Sequence, residues 1–104
     1  MIDEKIKNII RLANKYPVIN RVGVFGSYAR GEQTADSDID ILYHEDLNNK
    51  DSVLEVLNYG AELTNEFEKL NIECDYVSYW GIADSPNKKT RNRILSEVVW
   101  LYER

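Results

Sequence analysis

The stretch RVGVFGSYARGEQTADSDIDILY, residues 21–43, contains two short apolar runs separated by a polar loop. The first run, Arg21 to Phe25, is rich in valine and stops at Gly26, which is typical of a buried strand that ends in a tight turn. The second run, Ile39 to Tyr43, predicts another buried strand. Rigid scaffolds commonly place their chemistry at strand ends, so the loop between these strands is the first candidate for a functional site.

Regular apolar spacing predicts a helix on each side of this segment. The first helix lies between Asp3 and Lys15 and cannot continue past Pro17. The second is longer, begins behind a cap at Asp51 or Ser52, and carries an apolar stripe that must face the sheet. The stripe consists of Val53, Val56, Leu57, Gly60, Leu63, Phe67 and Leu70.

The remaining part of the chain predicts one more strand and a closing helix. Ile72 to Ser78 predicts the strand, and an irregular loop follows from Tyr79 to Lys89. The closing helix would have a wide apolar face formed by Ile94, Leu95, Val98, Val99 and Tyr102. We therefore expect an α/β (α+β) fold, a small mixed β-sheet flanked by helices. No linker or repeat interrupts this order, so residues 1–104 are predicted to form a single domain.

Size and charge exclude several classes of protein. With 104 residues, 43% of them hydrophobic and 30% charged, the chain fits a soluble globular protein with one core. Its net charge of −5 argues against gripping a nucleic-acid backbone, so no direct nucleic-acid binding is expected. The amino terminus lacks an apolar signal core and no stretch is long enough to cross a bilayer, which predicts a cytoplasmic protein without membrane contact.

The turn Gly26-Ser27-Tyr28-Ala29-Arg30-Gly31 is a candidate phosphate-binding element. Gly26 permits a close turn, and the amides that follow it can open a short helix toward an anion. Ser27 can add a hydroxyl donor, and the guanidinium of Arg30 can neutralise phosphate. The same pattern also occurs as a plain turn with a surface arginine, so this segment alone leaves both interpretations open.

The segment Asp36-Ser37-Asp38-Ile39-Asp40 favours the functional interpretation. Asp38 and Asp40 stand two residues apart at the start of a strand, so their side chains project from the same face. Two such carboxylates repel each other unless they share a divalent cation, most often magnesium in phosphate chemistry. A solvated turn would explain Asp36, but it does not explain Asp40, which lies inside the apolar strand. We therefore predict that Asp38 and Asp40 bind metal.

A third carboxylate, Asp75, lies inside the apolar run of the third strand. A lone buried charge there would cost several kcal/mol or more, so Asp75 needs a partner. If the third strand lies beside the second, Asp75 reaches the same cluster and completes a two-cation site that clamps attacking and leaving oxygens. Glu73 shares this face by parity, although its expected place is the exposed strand edge.

These motifs together resemble the minimal nucleotidyltransferase (MNT) branch of the DNA polymerase beta-like superfamily. The resemblance rests on a glycine-serine turn, an Ala-Arg-Gly segment at residues 29–31, a Ser-Asp-x-Asp motif at residues 37–40 and a later carboxylate similar to Asp75. It covers nearly the whole chain, and residues 93–103 are similar to the closing helix of the family. The resemblance implies the polymerase beta-like nucleotidyltransferase fold and an enzyme that joins AMP from ATP to an acceptor hydroxyl with release of pyrophosphate.

The resemblance also implies a role for each candidate residue. Asp38 and Asp40 would hold the Mg²⁺ ions that bridge the triphosphate, and Asp75 would bind the ion nearest the acceptor hydroxyl and help to deprotonate it. The outer phosphates would be held by Gly26 and Ser27, with Arg30 as a further phosphate contact.

Minimal members of this family commonly act as antitoxins, which implies a protein partner. They are encoded beside an all-helical HEPN toxin and inactivate it by binding and by AMP transfer to a tyrosine, so a hetero-oligomer is expected. Surplus apolar residues at Tyr79, Ile82, Trp100 and Leu101 indicate an interface. Two alternatives stay open: an antitoxin that acts by docking alone, and an enzyme that modifies a small hydroxylated molecule with the help of a helical partner.

Overall fold

A computed structural model describes residues 4–34 and 36–104, which form one four-stranded sheet with helices on both faces. The elements are α1 (Glu4–Lys15), β1 (Ile19–Phe25), α2 (Ser27–Arg30), β2 (Ile39–Glu45), α3 (Ser52–Lys69), β3 (Cys74–Ser78), α4 (Tyr79–Ala83), α5 (Lys88–Glu97) and β4 (Val99–Glu103). The predicted start of the first helix at Asp3 lies outside the described residues.

The sheet has the strand order β3-β2-β1-β4 and is mixed, as the sequence predicts. Strand β1 pairs antiparallel with both β2 and β4. Strand β3 runs parallel to β2, and the long helix α3 provides the crossover that a parallel pair requires.

One face of the sheet carries the hydrophobic core, under α1 and α3. We call it the core face. Strand alternation directs Val22 and Ile41 to this face, where they are fully buried. They pack with residues from both helices, including Ile9, Leu12, Tyr59, Leu63 and Phe67. Apolar burial is the dominant favourable term in folding, so this face supplies most of the stability of the fold.

The apolar stripe predicted for the long helix is wrong at several positions. Val53 is 74% exposed, Leu57 is 65% exposed, and Leu70 follows the end of α3 at 42% exposed. The side chains of α3 that are buried are those of Val56, Tyr59, Leu63 and Phe67. The helix is rotated toward α1 because Tyr59 packs in the core and donates a hydrogen bond to the carbonyl oxygen of Ile9 at 3.3 Å.

The predicted closing helix is wrong in its second half. Helix α5 ends at Glu97, and the chain continues as strand β4 along the edge of β1. Val98 has the extended conformation φ −58°, ψ 134° and breaks the helix. The residues that follow are branched or aromatic and favour a strand, and β1 offers an edge whose backbone groups need partners. Gly23 permits the close pairing, since a Cβ there would lie 2.6 Å from the carbonyl oxygen of Val99.

Two further differences concern the loop and the candidate interface. The segment that follows β3 is not wholly irregular, because Tyr79–Ala83 forms the short helix α4, capped by the Ser78 hydroxyl. Trp100 and Leu101 lie on strand β4 and not on a helix. Within the described ranges, no helix combines the length and apolar character that a membrane crossing demands.

Candidate active site

The strand register brings two of the three predicted carboxylates side by side. Asp40 of β2 is the direct partner of Asp75 in the parallel pair, so both side chains project from the same face of the sheet. This is the face opposite the core, which we call the outer face. Asp38 lies two residues earlier, just before β2, and is exposed to solvent. The conditional prediction that β3 lies beside β2 is confirmed.

Gly26 lies at the end of β1, directly against this pair. Its backbone has φ 69° and ψ −143°, a conformation that residues other than glycine rarely adopt. A Cβ on Gly26 would overlap with the carboxylate oxygen Oδ2 of Asp40. Two independent features therefore favour glycine here, the backbone conformation and the close approach of the carboxylate.

All six predicted site residues line one cleft at this edge of the outer face. Its volume is about 530 Å³. The lining residues are Phe25, Gly26, Ser27, Arg30, Ser37, Asp38, Asp40, Asp75 and Arg93. The Gly26–Ser27 turn and the aspartates thus come from separate segments and face the same space. Arg93 is not among the predicted site residues, because a basic cluster such as Lys88, Lys89, Arg91 and Arg93 is typical of the start of a solvated helix.

The cleft contains more negative charge than its surroundings easily accommodate. Burial raises the pKa of Asp40 above its usual value, and the hydrogen bond with Asp75 and the charges of Asp75, Asp38 and Glu97 raise this pKa further. A bound cation would relieve this repulsion, and carboxylate oxygens are the ligand type that Mg²⁺ prefers. The chemistry of the donor set therefore fits a divalent cation.

The three aspartates are close to one another but do not yet surround a common point. Across residues 4–34 and 36–104, no three side chains of His, Cys, Asp or Glu are arranged to hold a metal ion. Binding an ion would therefore require the aspartate side chains to rearrange. Such movements are within the reach of exposed carboxylates at a strand end, because these side chains change rotamer readily.

Glu97 connects the last helix to the phosphate-binding turn. Its Oε1 accepts a hydrogen bond from the Gly26 amide at 2.9 Å, and its Oε2 lies 3.2 Å from Nη1 of Arg30. Arg30 also donates to Glu32 from Nε. These carboxylates raise the pKa of Arg30, the hydrogen bond to Glu32 most strongly. No sequence pattern points to Glu97, which lies 71 residues from Gly26 along the chain.

A half-exposed aromatic cluster occupies the other end of the outer face. The Arg21 guanidinium lies 3.9 Å from the ring centre of Trp100 and 5.2 Å from that of Tyr79. Arg21 Nε also donates to His44 Nδ1 at 2.8 Å, which requires a neutral imidazole. Burial and the charge of Arg21 accordingly lower the pKa of His44. Tyr79 and Trp100, two residues of the predicted interface, are thus brought together, and their role as an interface stays a prediction.

Comparison with known proteins identifies the family. The family described as Polymerase beta, Nucleotidyltransferase matches residues 7–104. The chain belongs to this nucleotidyltransferase family. A relative from Methanocaldococcus jannaschii, named as a protein adenylyltransferase, is 41% identical over 92 residues, covering 83% of this chain and 87% of the relative. A second relative with this name from the same organism is 37% identical over 98 residues, covering 94% and 95%.

Solved structures place this nucleotidyltransferase among the minimal members of the family. A minimal nucleotidyltransferase structure aligns with a TM-score of 0.60 at 29% identity, covering 91% of this chain and 87% of that one. A crystal structure of a toxin-antitoxin with AMP-PNP aligns with a TM-score of 0.62 at 22% identity, covering 95% and 73%. The second likeness shows the shared fold. The predicted fold and the predicted enzyme class, nucleotidyltransferase, are both confirmed.

Proposed function

We propose that this nucleotidyltransferase transfers AMP from ATP to a hydroxyl group of a protein, most specifically a tyrosine of a helical HEPN-family toxin, and so acts as a cytoplasmic antitoxin. The observation that carries the proposal is the single cleft in which Asp38, Asp40 and Asp75 face the Gly26–Ser27 turn. A triphosphate needs donors for its outer oxygens and cation-bound carboxylates near its reacting phosphorus, and the cleft offers both.

The three aspartates and Ser27 have different tasks in this proposal. Asp38, Asp40 and Asp75 hold two Mg²⁺ ions, which supply the positive charge that lets a triphosphate approach the carboxylates. Ser27 donates to the outer phosphates and fixes their orientation. Asp75 lies on the edge strand β3, nearest to an incoming acceptor, and accepts the proton of its hydroxyl group. The acceptor oxygen then bonds to the α-phosphorus while the bond from that phosphorus to pyrophosphate breaks.

The acceptor is best supplied by a second protein. The cleft is an open depression of the outer face, and its lining residues leave the approach to the aspartates uncovered. The half-exposed aromatic cluster of Arg21, Tyr79 and Trp100 lies on the same face, about 13 Å from Phe25 if each strand residue spans roughly 3.3 Å. Half-exposed aromatic and arginine side chains are favoured at interface centres, so this cluster is a suitable docking surface beside the cleft.

Three known proteins support the choice of acceptor. The relatives at 41% and 37% identity carry the name protein adenylyltransferase, which favours a protein acceptor over a small molecule. The toxin-antitoxin structure with AMP-PNP shares the fold and favours a toxin as the partner, in a hetero-oligomer. The choice of a HEPN toxin and of tyrosine follows from the resemblance of the motifs to minimal nucleotidyltransferases.

The test is mass spectrometry of the copurified partner after incubation with ATP and Mg²⁺. We expect the mass of one or more AMP groups on a hydroxyl side chain, and none when Mg²⁺ is replaced by a chelator. Asp75→Asn should prevent the addition and leave the complex intact, because Asp75 lies away from the aromatic cluster.

The two alternatives predict different outcomes of the same experiment. If Asp75→Asn protects cells from the partner as well as the unchanged chain does, and neither modifies the partner, the chain is an antitoxin that acts by docking alone. If AMP appears only on added small hydroxylated molecules, the acceptor class proposed here is wrong.

A further inference from the structure

Two arginines line the cleft, and they differ in how their charge is used. The Arg30 guanidinium contacts the carboxylates of both Glu32 and Glu97. Arg93 projects from α5 into the same cleft. Throughout the part of the chain that the structure describes, no carboxylate lies within ion-pairing distance of Arg93. Only one of the two guanidinium groups is therefore available to a new anion without the loss of an existing ion pair.

We propose that Arg93, and not Arg30, is the arginine that binds the triphosphate, and this inference rests on the proposed function. A guanidinium presents a planar fork of donors that matches two phosphate oxygens at once. The lining of the cleft already contains three aspartates, so an unpaired cation at its wall is the group to which a polyanion is drawn. The aspartates repel the triphosphate where no cation intervenes, which makes the position of Arg93 decisive for its orientation.

Arg30 is a poor competitor for this role because its release leaves Glu97 in an unfavourable state. The Glu97 side chain is only 16% exposed. If Arg30 turned toward a phosphate, this mostly buried carboxylate would lose its cation and keep only the hydrogen bond from the Gly26 amide. The second contact of Arg30, with Glu32, would be lost as well. Arg93 binds an anion without either loss.

Glu97 also affects the position of Arg93, because the two residues are four positions apart on α5. Side chains at this spacing lie on the same face of a helix, one turn from each other. The hydrogen bond from Gly26 to Glu97 therefore fixes this face of α5 against the cleft. The two oxygens of Glu97 contact Gly26 and Arg30. In this scheme Arg93 is a ligand of the triphosphate, and Glu97 is a positioning residue.

The experiment measures binding of ATP with Mg²⁺ to the full chain by titration calorimetry. We expect Arg93→Gln to weaken binding by about 10- to 100-fold, the value of one charge-assisted phosphate contact. Arg93→Lys keeps the charge and loses the planar fork of donors, so its affinity for ATP should lie between those of the unchanged chain and Arg93→Gln. The matched control is Arg91→Gln, on the same helix but outside the cleft lining, and it should stay within about twofold of the unchanged chain. Arg30→Gln should change the affinity by less than Arg93→Gln does.

A comparison of ATP with AMP distinguishes phosphate binding by Arg93 from a role of Arg93 in folding alone. The loss in Arg93→Gln should be large for ATP and small for AMP, because AMP lacks the outer phosphates, and the melting temperature should not change. Glu97→Ala should weaken ATP binding, and Glu97→Gln, whose amide oxygen still accepts from Gly26, should restore part of it. An equal or larger loss in Arg30→Gln, or unchanged binding in Arg93→Gln, overturns the inference. If the unchanged chain itself does not bind ATP with Mg²⁺, the proposed function fails first.

Discussion

The two faces of the sheet serve different purposes in this nucleotidyltransferase. The core face is covered by the long helices α1 and α3 and contains side chains with no solvent exposure, such as Ile9 and Phe67. The outer face is covered only in part by short helices, and it carries the cleft and the aromatic cluster. Stability therefore derives mainly from one face, and the proposed chemistry lies on the other. Substitutions on the core face should change the free energy of unfolding, and those in the cleft should change activity.

The largest effect is expected on the core face, at Phe67. Phe67→Ala removes a fully buried ring and should lower the free energy of unfolding by about 3–5 kcal/mol, a large part of the roughly 5–15 kcal/mol typical of a domain this size. Leu57→Ala on the exposed side of the same helix is the matched control and should change it by less than about 0.5 kcal/mol. Denaturant unfolding measures both. Equal losses would mean that burial of Phe67 against the core face does not stabilise the fold.

The second largest effect is expected on the outer face, at Asp40. Asp40→Asn should reduce AMP transfer by about 100- to 1,000-fold, because the cation site loses a ligand worth several kcal/mol in the transition state. The free chain should become more stable at neutral pH, since a carboxyl whose pKa is raised on folding destabilises the fold once it is ionised. Thermal melting without nucleotide tests the second part. A loss of both activity and stability would contradict the separation of faces.

Substitution of Gly26 should give an effect of intermediate size, on both the stability of the fold and the affinity for ATP. Gly26→Ala introduces a Cβ into a backbone with positive φ and against the Asp40 carboxylate, and should cost about 1–3 kcal/mol of stability. The affinity for ATP should fall with it, because the added Cβ displaces either the turn or the Asp40 carboxylate from its place in the cleft. Gly31→Ala is the control, since φ is also positive there but nothing lies within 4 Å of the added Cβ. If both variants bind ATP equally well, the contact with Asp40 is unimportant.

The smallest effect is expected from pH at the aromatic cluster. The pKa of His44 is lowered in the fold, so the unfolded chain binds more protons than the folded chain as pH falls through the unfolded value of about 6.5. His44 therefore contributes stability above that pH and loses it below. His44→Gln, which can still accept from Arg21, should flatten this part of the profile. The difference in melting temperature between pH 7.5 and pH 5.5 is the measurement, and an identical slope in both chains would contradict the assignment.

Much of the cleft could be predicted from the sequence because local patterns determine where its residues lie. Asp38 and Asp40 lie two residues apart at a strand, and strand alternation alone directs them to one side. Asp75 needed a single assumption, the adjacency of β2 and β3, which the structure bears out. The roles assigned to these residues stay predictions.

The errors arose where local patterns fit two structures equally well. In α3 the row of Val53 and Leu57 and the row of Val56 and Tyr59 are both apolar, so the sequence cannot decide which row faces the core. The run after Ile94 fits a helix or a strand, and the deciding factor is the free edge of β1, about seventy residues earlier in the chain. Glu97 was missed for a similar reason, because its partner Gly26 is equally remote.

The pairing of β1 with β4 also has a consequence for how fast the chain can fold. Val24 pairs with Val99, so one edge of a central strand is completed by a segment 75 residues later, the difference between their numbers. Closing so long a loop costs chain entropy before any contact compensates for it, and topologies rich in such distant pairs fold slowly. Until β4 pairs with β1, the edge of β1 exposes unpaired backbone groups beside apolar side chains. Such an edge can pair with other chains and lead to aggregation. The pairing of β4 with β1 therefore ends that aggregation-prone interval.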